Sequence, residues 1–269
     1  MDVRKLAKAY EKQLRPNWDD RFVPFLLESF PEELPPKTTL LEMGCATGRL
    51  TTEIVRRLPE GGRLIAVEDI RELMEIARLK VAEADRKQVF FKKERPDSLS
   101  FADGTFDGVV SGGLATAYHL NSVLNEAARL LKKDGFLLLG TVLQGSFQEL
   151  LDIFREVLEK EDLIPVQEEL DQICQRLPDR LAAKRLLANV GIVDNIVRIQ
   201  EETVHFDNGL EFVIAPLIRQ HCLDECLSLI KDRGWREGVL AGMIRALDTY
   251  FPDGIDLTLI MGRLEGNKL

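Results

Sequence analysis

Short apolar runs alternate with helical stretches between residues 38 and 143, and this alternation restricts the fold more than any other feature of the sequence. The apolar runs are TLLEMG, RLIAVE, QVFFKK, FDGVVSG and GFLLLGTVL. Helices are predicted at about 48–58, 71–84 and 120–132, and an irregular stretch separates the third run from the fourth. Apolar strands with helices between them are typical of a parallel sheet that carries helices on both faces.

The segments on either side of these runs are predicted to complete the sheet and to add helices to it. The helical spacing of Leu6, Tyr10 and Leu14, with a break at Pro16, indicates two N-terminal helices within residues 3–30. The chain from 146 onward shows two or three helical stretches, the strand IVDNIVRIQEETVHF, helices near 208–219, 223–232 and 236–249, and the strand DLTLIMGRL. Because this last strand follows a helix, we expect it to insert beside the fifth strand.

The chain is predicted to be a single α/β domain, since no internal repeat and no low-complexity linker interrupts it. Its sheet is expected to have seven strands, mostly parallel, with an antiparallel final strand, and to bind ligands at the carboxyl ends of the first strands. The predicted parts are N-terminal helices (1–37), a cofactor-binding core (38–145), a helical lid inserted between strands five and six (146–190) and a C-terminal completion of the sheet (191–269).

Composition and charge exclude several classes of protein. The chain has 269 residues, of which 45% are hydrophobic and 30% charged, so it can bury a sizeable core and is not disordered. Its formal net charge of −9 disfavours a nucleic-acid partner, since such a protein must neutralise phosphates. No apolar run approaches the roughly 20 residues that span a bilayer, and no secretory leader is recognised. We therefore expect a cytoplasmic protein with reduced cysteines and no membrane partner.

The segment LLEMGCATGRL at 40–50 is a strand that runs into a glycine-containing turn and then a helix. Gly44 and Gly48 permit a tight turn and let a ligand approach the backbone, while the start of the helix supplies N–H donors. About 20 residues later the second strand ends at Glu68 and Asp69, where an acidic side chain can accept hydrogen bonds from both hydroxyls of a ribose. Together these two features predict a nucleoside cofactor.

Four motifs over about residues 38–142 resemble, in order and spacing, those of the class I S-adenosylmethionine-dependent methyltransferases. The motifs are E-x-G-x-x-x-G, VED-I-RELMEIAR, SFADGTFDGVVSGG and EAARLLKKDGFLLLGT. The resemblance implies a Rossmann-like fold, S-adenosylmethionine as the cofactor, S-adenosylhomocysteine as the product, and no metal. Ala46 stands where a dinucleotide-binding turn has its middle glycine, which argues against NAD.

The same resemblance assigns cofactor contacts to individual residues. It places Gly44, Cys45, Ala46 and Gly48 around the methionine moiety, Glu42 on its amino group, Glu68 on the ribose, Asp69 and Ile70 beside the adenine, and Ser111 of the SFADGTFDGVVSGG motif at the cofactor. Tyr10 resembles an N-terminal tyrosine that closes over the cofactor in relatives. The alternative interpretation of Tyr10 is a packing residue of its helix.

One position departs from the family pattern. The acidic residue that is expected to bind the adenine amino group aligns with Arg95. Glu94 and Asp97 are the neighbouring acidic residues that could replace it, and Glu94 and Arg95 are kept as candidate cofactor contacts. Without such a replacement the cofactor site is degenerate.

Shorter matches in the rest of the chain resemble the malonyl-acyl-carrier-protein O-methyltransferases of biotin synthesis. They are LGTVLQGSFQEL (139–150), LATAY (114–118), TVHFDNGLEFVIAPL after the insertion, and the closing DLTLIMGRLEG. This resemblance implies methylation of the free carboxylate of a malonyl group carried by acyl carrier protein. An ionised carboxylate needs no general base or metal to attack a sulfonium methyl group, and a water-poor pocket favours a transition state that annihilates charge.

Two other functions stay open. Tyr118 and His119 follow the fourth strand, where the substrate-side residues of the family lie, and are the catalytic candidates. His119 would be the base of a small-molecule methyltransferase with another acceptor, or else an ordinary polar loop residue. Ala46 and Arg95 also allow a methyltransferase-fold protein without catalysis that serves as a binding or assembly partner.

Basic residues recur every four positions in the insertion, at Arg176, Arg180 and Lys184, with Arg185 beside them. If one helix continues through Pro178, they form a basic stripe on which an acidic helix of acyl carrier protein would dock. Charge runs of this kind are otherwise solvated helix faces.

A bound carboxylate substrate also needs an orienting cation, for which Arg198, Arg219 and the arginines of the insertion are candidates. Cys222 and Cys226 are spaced four residues apart next to His221, but they lack the further ligands of a four-ligand metal site. We therefore predict buried thiols at these two positions.

Overall fold

The computed structural model describes residues 8–81, 87–113, 120–174 and 176–269. The contacts divide the chain into two compact units. The first consists of Met1–Thr141, Arg180–Ile199 and Gly262–Leu269, and the second of Val142–Asp179 and Gln200–Met261. The first unit contains the predicted glycine turn, and the finer division of the chain predicted from the sequence stays a prediction.

The described strands form one mixed sheet. They are β1 (Thr39–Met43), β2 (Arg63–Glu68), β3 (Val89–Lys93), β4 (Phe106–Ser111), β5 (Leu131–Val142), β6 (Ile192–Phe206) and β7 (Ile255–Lys268). Their order is β3-β2-β1-β4-β5-β7-β6, and β1 to β5 pair in parallel. The predicted α/β fold with a seven-stranded, mostly parallel sheet is confirmed, and β7 lies beside β5 as predicted.

The described helices lie close to the predicted stretches, including the three in the insertion. They are α1 (Asp19–Leu27), α2 (Arg49–Val55), α3 (Arg71–Lys80), α4 (Leu120–Leu130), α5 (Gln148–Lys160), α6 (Ile164–Cys174), α7 (Arg180–Asn189), α8 (Gly209–Ile214), α9 (Asp224–Ser228) and α10 (Arg233–Tyr250), with shorter turns at Tyr10–Leu14, Arg15–Asn17, Pro216–Ile218 and Arg219–Leu223. No helix in the described part of the chain combines the length and apolar character that a bilayer span requires.

The final strand runs against its neighbour where the hydrogen bonds are described. In the second unit the amide of Leu143 donates to the carbonyl of Ile260 (2.8 Å), and the amide of Phe147 donates to the carbonyl of Thr258 (3.0 Å). The residue number rises from Leu143 to Phe147 while that of the partner falls from Ile260 to Thr258. The two segments are therefore antiparallel, as expected.

The junction between α4 and β5 differs from the prediction. The helix predicted to reach residue 132 ends at Leu130, and β5 begins at Leu131, opposite Phe106 of β4. The next pair is Gly108 with Phe136, so the strand bulges between its first and second pairs. Asp134 adopts a left-handed conformation (φ 61°) within the bulge. The apolar residues continue from α4 into β5 without a change in spacing, so the sequence does not mark where the helix ends. The pairing of Leu131 with β4 marks that point.

The N-terminal segment also differs from the prediction at its break. Pro16 occupies the first turn of the helical segment Arg15–Asn17, where a proline is tolerated, and the helix is interrupted instead at Trp18 (φ −124°, ψ −74°). Trp18 is buried against Phe22, and its indole N–H donates to the carbonyl of Gly113 just beyond β4 (3.1 Å). The N-terminal helices are thereby anchored at the carboxyl end of the sheet.

The parallel strands bring the residues of the candidate site together at the carboxyl-terminal end of the sheet. Leu40 and Leu41 of β1 are fully buried in the core, which fixes the strand that leads into the glycine turn. Because β1, β2 and β4 run in parallel, Gly44, Glu68 and Ser111 all follow or end strands at the same edge.

Candidate functional site

The turn between β1 and α2 has an unusual backbone. Gly44, Ala46 and Gly48 are all left-handed, with φ of 74°, 45° and 83°. The amides of Gly44 and Cys45 both donate to the carbonyl of Val67 in β2 (3.0 and 2.9 Å), which fixes the turn to the neighbouring strand. A left-handed alanine costs on the order of 1 kcal/mol and persists only where surrounding contacts hold it.

Glu68, at the end of β2, is bonded to this turn. One carboxylate oxygen accepts from the amide of Ala46 (2.8 Å), and the other accepts from the amide of Ile70 (3.0 Å). Burial, together with the hydrogen bond that protonated Glu68 donates to its neighbour Asp69, raises the pKa of Glu68 above its usual range. The residue predicted from the ribose argument therefore also holds the strained turn, a contact that the sequence does not reveal.

Glu42 lies beneath the turn and is fully buried. Its Oε2 accepts from the Thr51 hydroxyl (2.7 Å), and its Oε1 has no hydrogen-bond partner. Burial raises the pKa of Glu42 to about 8. A buried carboxyl group with one unpartnered oxygen is costly unless a donor reaches it, so this atom marks a place where a ligand donor would be stabilising.

A second buried carboxyl group, Asp19, comes from the start of α1 and was not predicted. Its Oδ1 accepts from the Tyr10 hydroxyl (3.0 Å), its Oδ2 has no hydrogen-bond partner, and burial raises its pKa to about 7. Burial also raises the pKa of Tyr10 well above its usual range. In the sequence Asp19 looks like an ordinary acidic residue in the first turn of a helix, and no pattern signals its burial.

Tyr10, Asp19, Glu42 and residues of the glycine turn line a narrow cavity of about 20 Å³ at the carboxyl ends of the parallel strands. Its lining consists of Tyr10, Asp19, Val23, Glu42, Gly44, Cys45, Ala46, Arg49, Leu50, Gly112 and Gly113. Burial raises the pKa of the Cys45 thiol, so Cys45 is a lining residue and not a thiolate nucleophile. Arg49 is the cation of this lining, and it pairs with Asp20 (2.8 Å) and Glu53 (2.9 Å).

The two buried acids give the folded protein a specific pH dependence. Asp19 and Glu42 bind protons near neutral pH in the folded state but lose them near pH 4 when unfolded. Their stabilising contribution is therefore complete in acid and is lost as pH rises through about 7 to 8. We expect the melting temperature to fall by about 5 °C between pH 6.5 and 8.

Scanning calorimetry of the protein without ligand measures this shift, and Glu42→Gln is the matched control. The amide of the variant does not titrate, so its melting temperature should change less over the same pH range. His205, whose pKa is raised by its hydrogen bond to Asp256, is unchanged in both proteins and cancels in the comparison. Equal pH dependence in the two proteins would contradict the assignment to Glu42.

The residues around the departing third motif are engaged with one another. Arg95 forms a two-pronged pair with Asp97 (3.0 and 2.8 Å) and is largely exposed. Glu94 pairs with Lys92 (2.7 Å) and accepts from the backbone and hydroxyl of Ser100. The arginine is thus neutralised locally, and adenine recognition by Glu94 stays a prediction.

The other predicted site residues are placed unevenly. Ser111 is buried at the end of β4, and its hydroxyl has no hydrogen-bond partner. Gly48 contacts α3, where an added Cβ would lie 2.8 Å from the Cβ of Ala77. Tyr118 and His119 lie outside the described residues, so their predicted catalytic roles stay predictions.

The condition for a continuous basic stripe is not met. α6 ends at Cys174 and α7 begins at Arg180, because Pro178 cannot continue a helix, so Arg176 shares no helix face with the later residues. Arg176 instead pairs with Glu225. Arg180, Lys184 and Arg185 do lie on one helix, α7, whose sequence is RLAAKRLLAN.

The remaining candidates have local partners. Arg198 pairs with Glu265 (3.8 Å), and Arg219 pairs with Asp224 (2.5 Å). The role of either arginine as a substrate-binding cation stays a prediction. The thiols of Cys222 and Cys226 are buried and lie 3.8 Å apart, as predicted for buried thiols.

Comparisons with known proteins agree with this geometry. Residues 40–135 match a protein-family model described as a methyltransferase domain. A demethylmenaquinone methyltransferase of Lactococcus lactis is 31% identical over 98 residues, 36% of this chain and 39% of that protein. A malonyl-[acyl-carrier protein] O-methyltransferase of Priestia megaterium is 30% identical over 152 residues, 51% of this chain and 52% of that protein. The crystal structure of the YcgJ protein of Bacillus subtilis superposes with a TM-score of 0.58 at 17% identity, covering 93% of this chain and 98% of that one.

Residues 40–135 therefore resemble a methyltransferase domain, and the predicted class I methyltransferase fold is confirmed. The match supports the class predicted from the sequence, that of the S-adenosylmethionine-dependent methyltransferases. The match spans 39% of the length of the demethylmenaquinone methyltransferase and 52% of that of the malonyl-[acyl-carrier protein] O-methyltransferase. The methyl acceptors that these two names indicate are properties of those proteins.

Proposed function

We propose that this protein is an S-adenosylmethionine-dependent methyltransferase and that its acceptor is the free carboxylate of malonyl-acyl carrier protein. The observation that carries the first part is the arrangement at the carboxyl ends of β1 and β2. There a left-handed turn at Gly44 is bonded to Glu68, and the buried Glu42 beneath it has an oxygen without a donor. A cofactor with an ammonium group supplies such a donor, so these residues fit S-adenosylmethionine.

The residues of the turn would hold the two ends of this cofactor. Gly44, Cys45 and Ala46 would border the methionine moiety, with Glu42 on its ammonium group. Each carboxylate oxygen of Glu68 accepts one backbone hydrogen bond and has a second lone pair, which leaves acceptors for the ribose hydroxyls. Asp69 and Ile70 would border the adenine, Ser111 would contact the cofactor from β4, and Tyr10 would cover it.

The chemistry asks little of the protein beyond positioning. When bound, the cofactor supplies an electrophilic methyl group on a sulfonium. A malonyl carboxylate is ionised at neutral pH and attacks directly, so the chain has to align the two groups and keep water out. The buried, glycine-lined edge of the sheet provides such surroundings, and Tyr118 and His119 would act on the substrate side.

The length of the sequence matches supports the malonyl acceptor. The match to the malonyl-[acyl-carrier protein] O-methyltransferase extends over 152 residues, whereas relatives named as quinone methyltransferases match over 97 to 120 residues. Arg180, Lys184 and Arg185 on α7 would be the docking residues for an acidic carrier protein on an enzyme of net charge −9. Methylation of a quinone ring carbon is the second candidate, since most of the named relatives carry that activity in their names.

A transfer assay with methyl-labelled S-adenosylmethionine separates these acceptors. We expect label on malonyl-acyl carrier protein and none on acetyl-acyl carrier protein, which has no free carboxylate. Mild alkali should release the label as methanol, because a methyl ester hydrolyses and a carbon-bound methyl group does not. Alkali-stable label on a demethylmenaquinol would instead establish the quinone acceptor. Binding of S-adenosylhomocysteine without any transfer would favour a binding or assembly protein.

A further inference from the structure

Asp19 has a feature that packing alone does not explain. Asp19 lies in the first turn of α1 with only 7% of its surface exposed, and its Oδ2 has no hydrogen-bond partner. The Tyr10 hydroxyl satisfies only Oδ1. Because a buried carboxyl oxygen without a donor destabilises the folded protein, a donor on a ligand that reaches this oxygen would be stabilising.

Glu42, which lines the same cavity, has the matching feature. Its Oε1 is buried and unpartnered, and it reaches the cavity from β1. Asp19 lines the same cavity from α1, and its negative charge is one of the causes that raise the pKa of Glu42. Two acceptors from separate elements therefore face one small space.

The charged side chains around Asp19 and Glu42 leave an excess of negative charge at the cavity. Arg49, the cation of the cavity lining, is already engaged by Asp20 and Glu53. Lys80 acts on Asp19 from a distance and is bonded to Glu11 (2.6 Å). Tyr10 contributes a neutral donor, and Asp20 and Glu11 add negative charge. A cationic ligand group would offset this excess.

We propose that Asp19 is a second carboxylate ligand, together with Glu42, for the primary ammonium group of the bound cofactor. This inference rests on the proposed function and adds a residue of the N-terminal segment to the cofactor site. The ammonium group is chosen over the sulfonium because unpartnered oxygens need N–H donors, of which an ammonium has three and a sulfonium none. Recognition by two carboxylates selects an amino-acid end that carries a free, charged amine.

Calorimetric titration with two probes tests this assignment. S-adenosylhomocysteine carries the ammonium group, and 5′-methylthioadenosine has the same nucleoside and thioether without the amino-acid end. We expect Asp19→Asn to weaken S-adenosylhomocysteine binding by about tenfold to 100-fold, as for a lost charge-assisted hydrogen bond, and to leave 5′-methylthioadenosine within about twofold. Glu33→Gln, which removes a carboxylate at an exposed position beyond the end of α1, is the matched control and should bind both probes as the unaltered protein does.

Proton release gives a second readout that a merely structural role of Asp19 would not change. An ammonium group favours ionised carboxylates, so binding at pH 7 should release protons, measured by titration in buffers of different ionisation enthalpy. Asp19→Asn should release fewer protons than the unaltered protein, and its affinity should rise less steeply between pH 6 and 8.

The outcomes separate this inference from the function beneath it. Equal affinity of Asp19→Asn and the unaltered protein for S-adenosylhomocysteine would overturn the role of Asp19 alone. Equal weakening of both probes would also overturn it, since it would indicate a general disturbance of α1. If the unaltered protein binds neither probe, the proposed function itself fails, and this inference fails with it.

Discussion

Glu68→Ala is expected to reduce the affinity for S-adenosylhomocysteine by at least about 100-fold. The substitution removes the proposed acceptor of the ribose hydroxyls and also the partner of the Ala46 and Ile70 amides. Two lost charge-assisted hydrogen bonds in a buried site are each worth about 1.5–3 kcal/mol, and the strained turn loses its support as well.

Calorimetric titration with S-adenosylhomocysteine measures this loss, and Glu75→Ala is the control. Glu75 lies on α3, a few residues beyond β2, and is half exposed beside Arg78 (3.8 Å), so its removal takes away a charge without touching the turn. Circular dichroism would verify that Glu68→Ala remains folded. An affinity within threefold of the unaltered protein would contradict the role of Glu68.

Gly48→Ala is expected to destabilise the fold by about 3 kcal/mol or more. An alanine Cβ at this position would lie 2.8 Å from the Cβ and 2.9 Å from the Cα of Ala77, and neither atom is the end of a flexible side chain. The left-handed backbone (φ 83°) adds strain of about 1 kcal/mol. Because Gly48 is the N-cap of α2 and lies against α3, relief of the contact requires separation of the two helices.

The midpoint of urea denaturation measures this effect, and Gly61→Ala provides a matched control. Gly61 is also left-handed (φ 70°), but its nearest contact is the flexible side chain of Lys37 at 3.2 Å. Gly61→Ala should therefore lose only the conformational part, about 1 kcal/mol. Similar shifts in the two variants would show that the close contact with Ala77 contributes nothing.

The sheet was largely predictable because its strands are bounded by clear changes in pattern. RLIAVE and IVDNIVRIQEETVHF coincide with β2 and β6 to the residue, since each is an apolar or alternating run between turn or helix residues. The boundary between α4 and β5 was wrong by a few residues because Leu130 and Leu131 satisfy both periodicities. Only pairing with Phe106, a long-range contact, decides between them.

The candidate site was predictable where a residue type sits in a motif and unpredictable where burial creates the chemistry. Gly44 and Glu68 follow from the strand–turn–helix pattern and the spacing of two strand ends, and Glu42 follows from the resemblance to the class I methyltransferases. Asp19 does not, because its burial comes from Trp18 and Tyr10 folding back onto the sheet edge across a large distance in sequence. Nor does the sequence reveal that Glu68 bonds the Ala46 amide, which fixes the one left-handed alanine of the turn.

The small volume of the cavity at the sheet edge has a kinetic consequence. About 20 Å³ accommodates roughly one water molecule, far less than an amino-acid moiety. Among the described lining residues, Tyr10 and Asp19 belong to the N-terminal helical segment, whereas the others include the ends of β1 and β4 and the start of α2. We expect the N-terminal segment to be the part that moves. Association would then wait for this segment to lift, and the observed binding rate would reach a plateau at high ligand concentration. For the methyltransferase proposed above, the same step would limit how fast the spent cofactor departs, so turnover would follow helix opening more closely than methyl transfer.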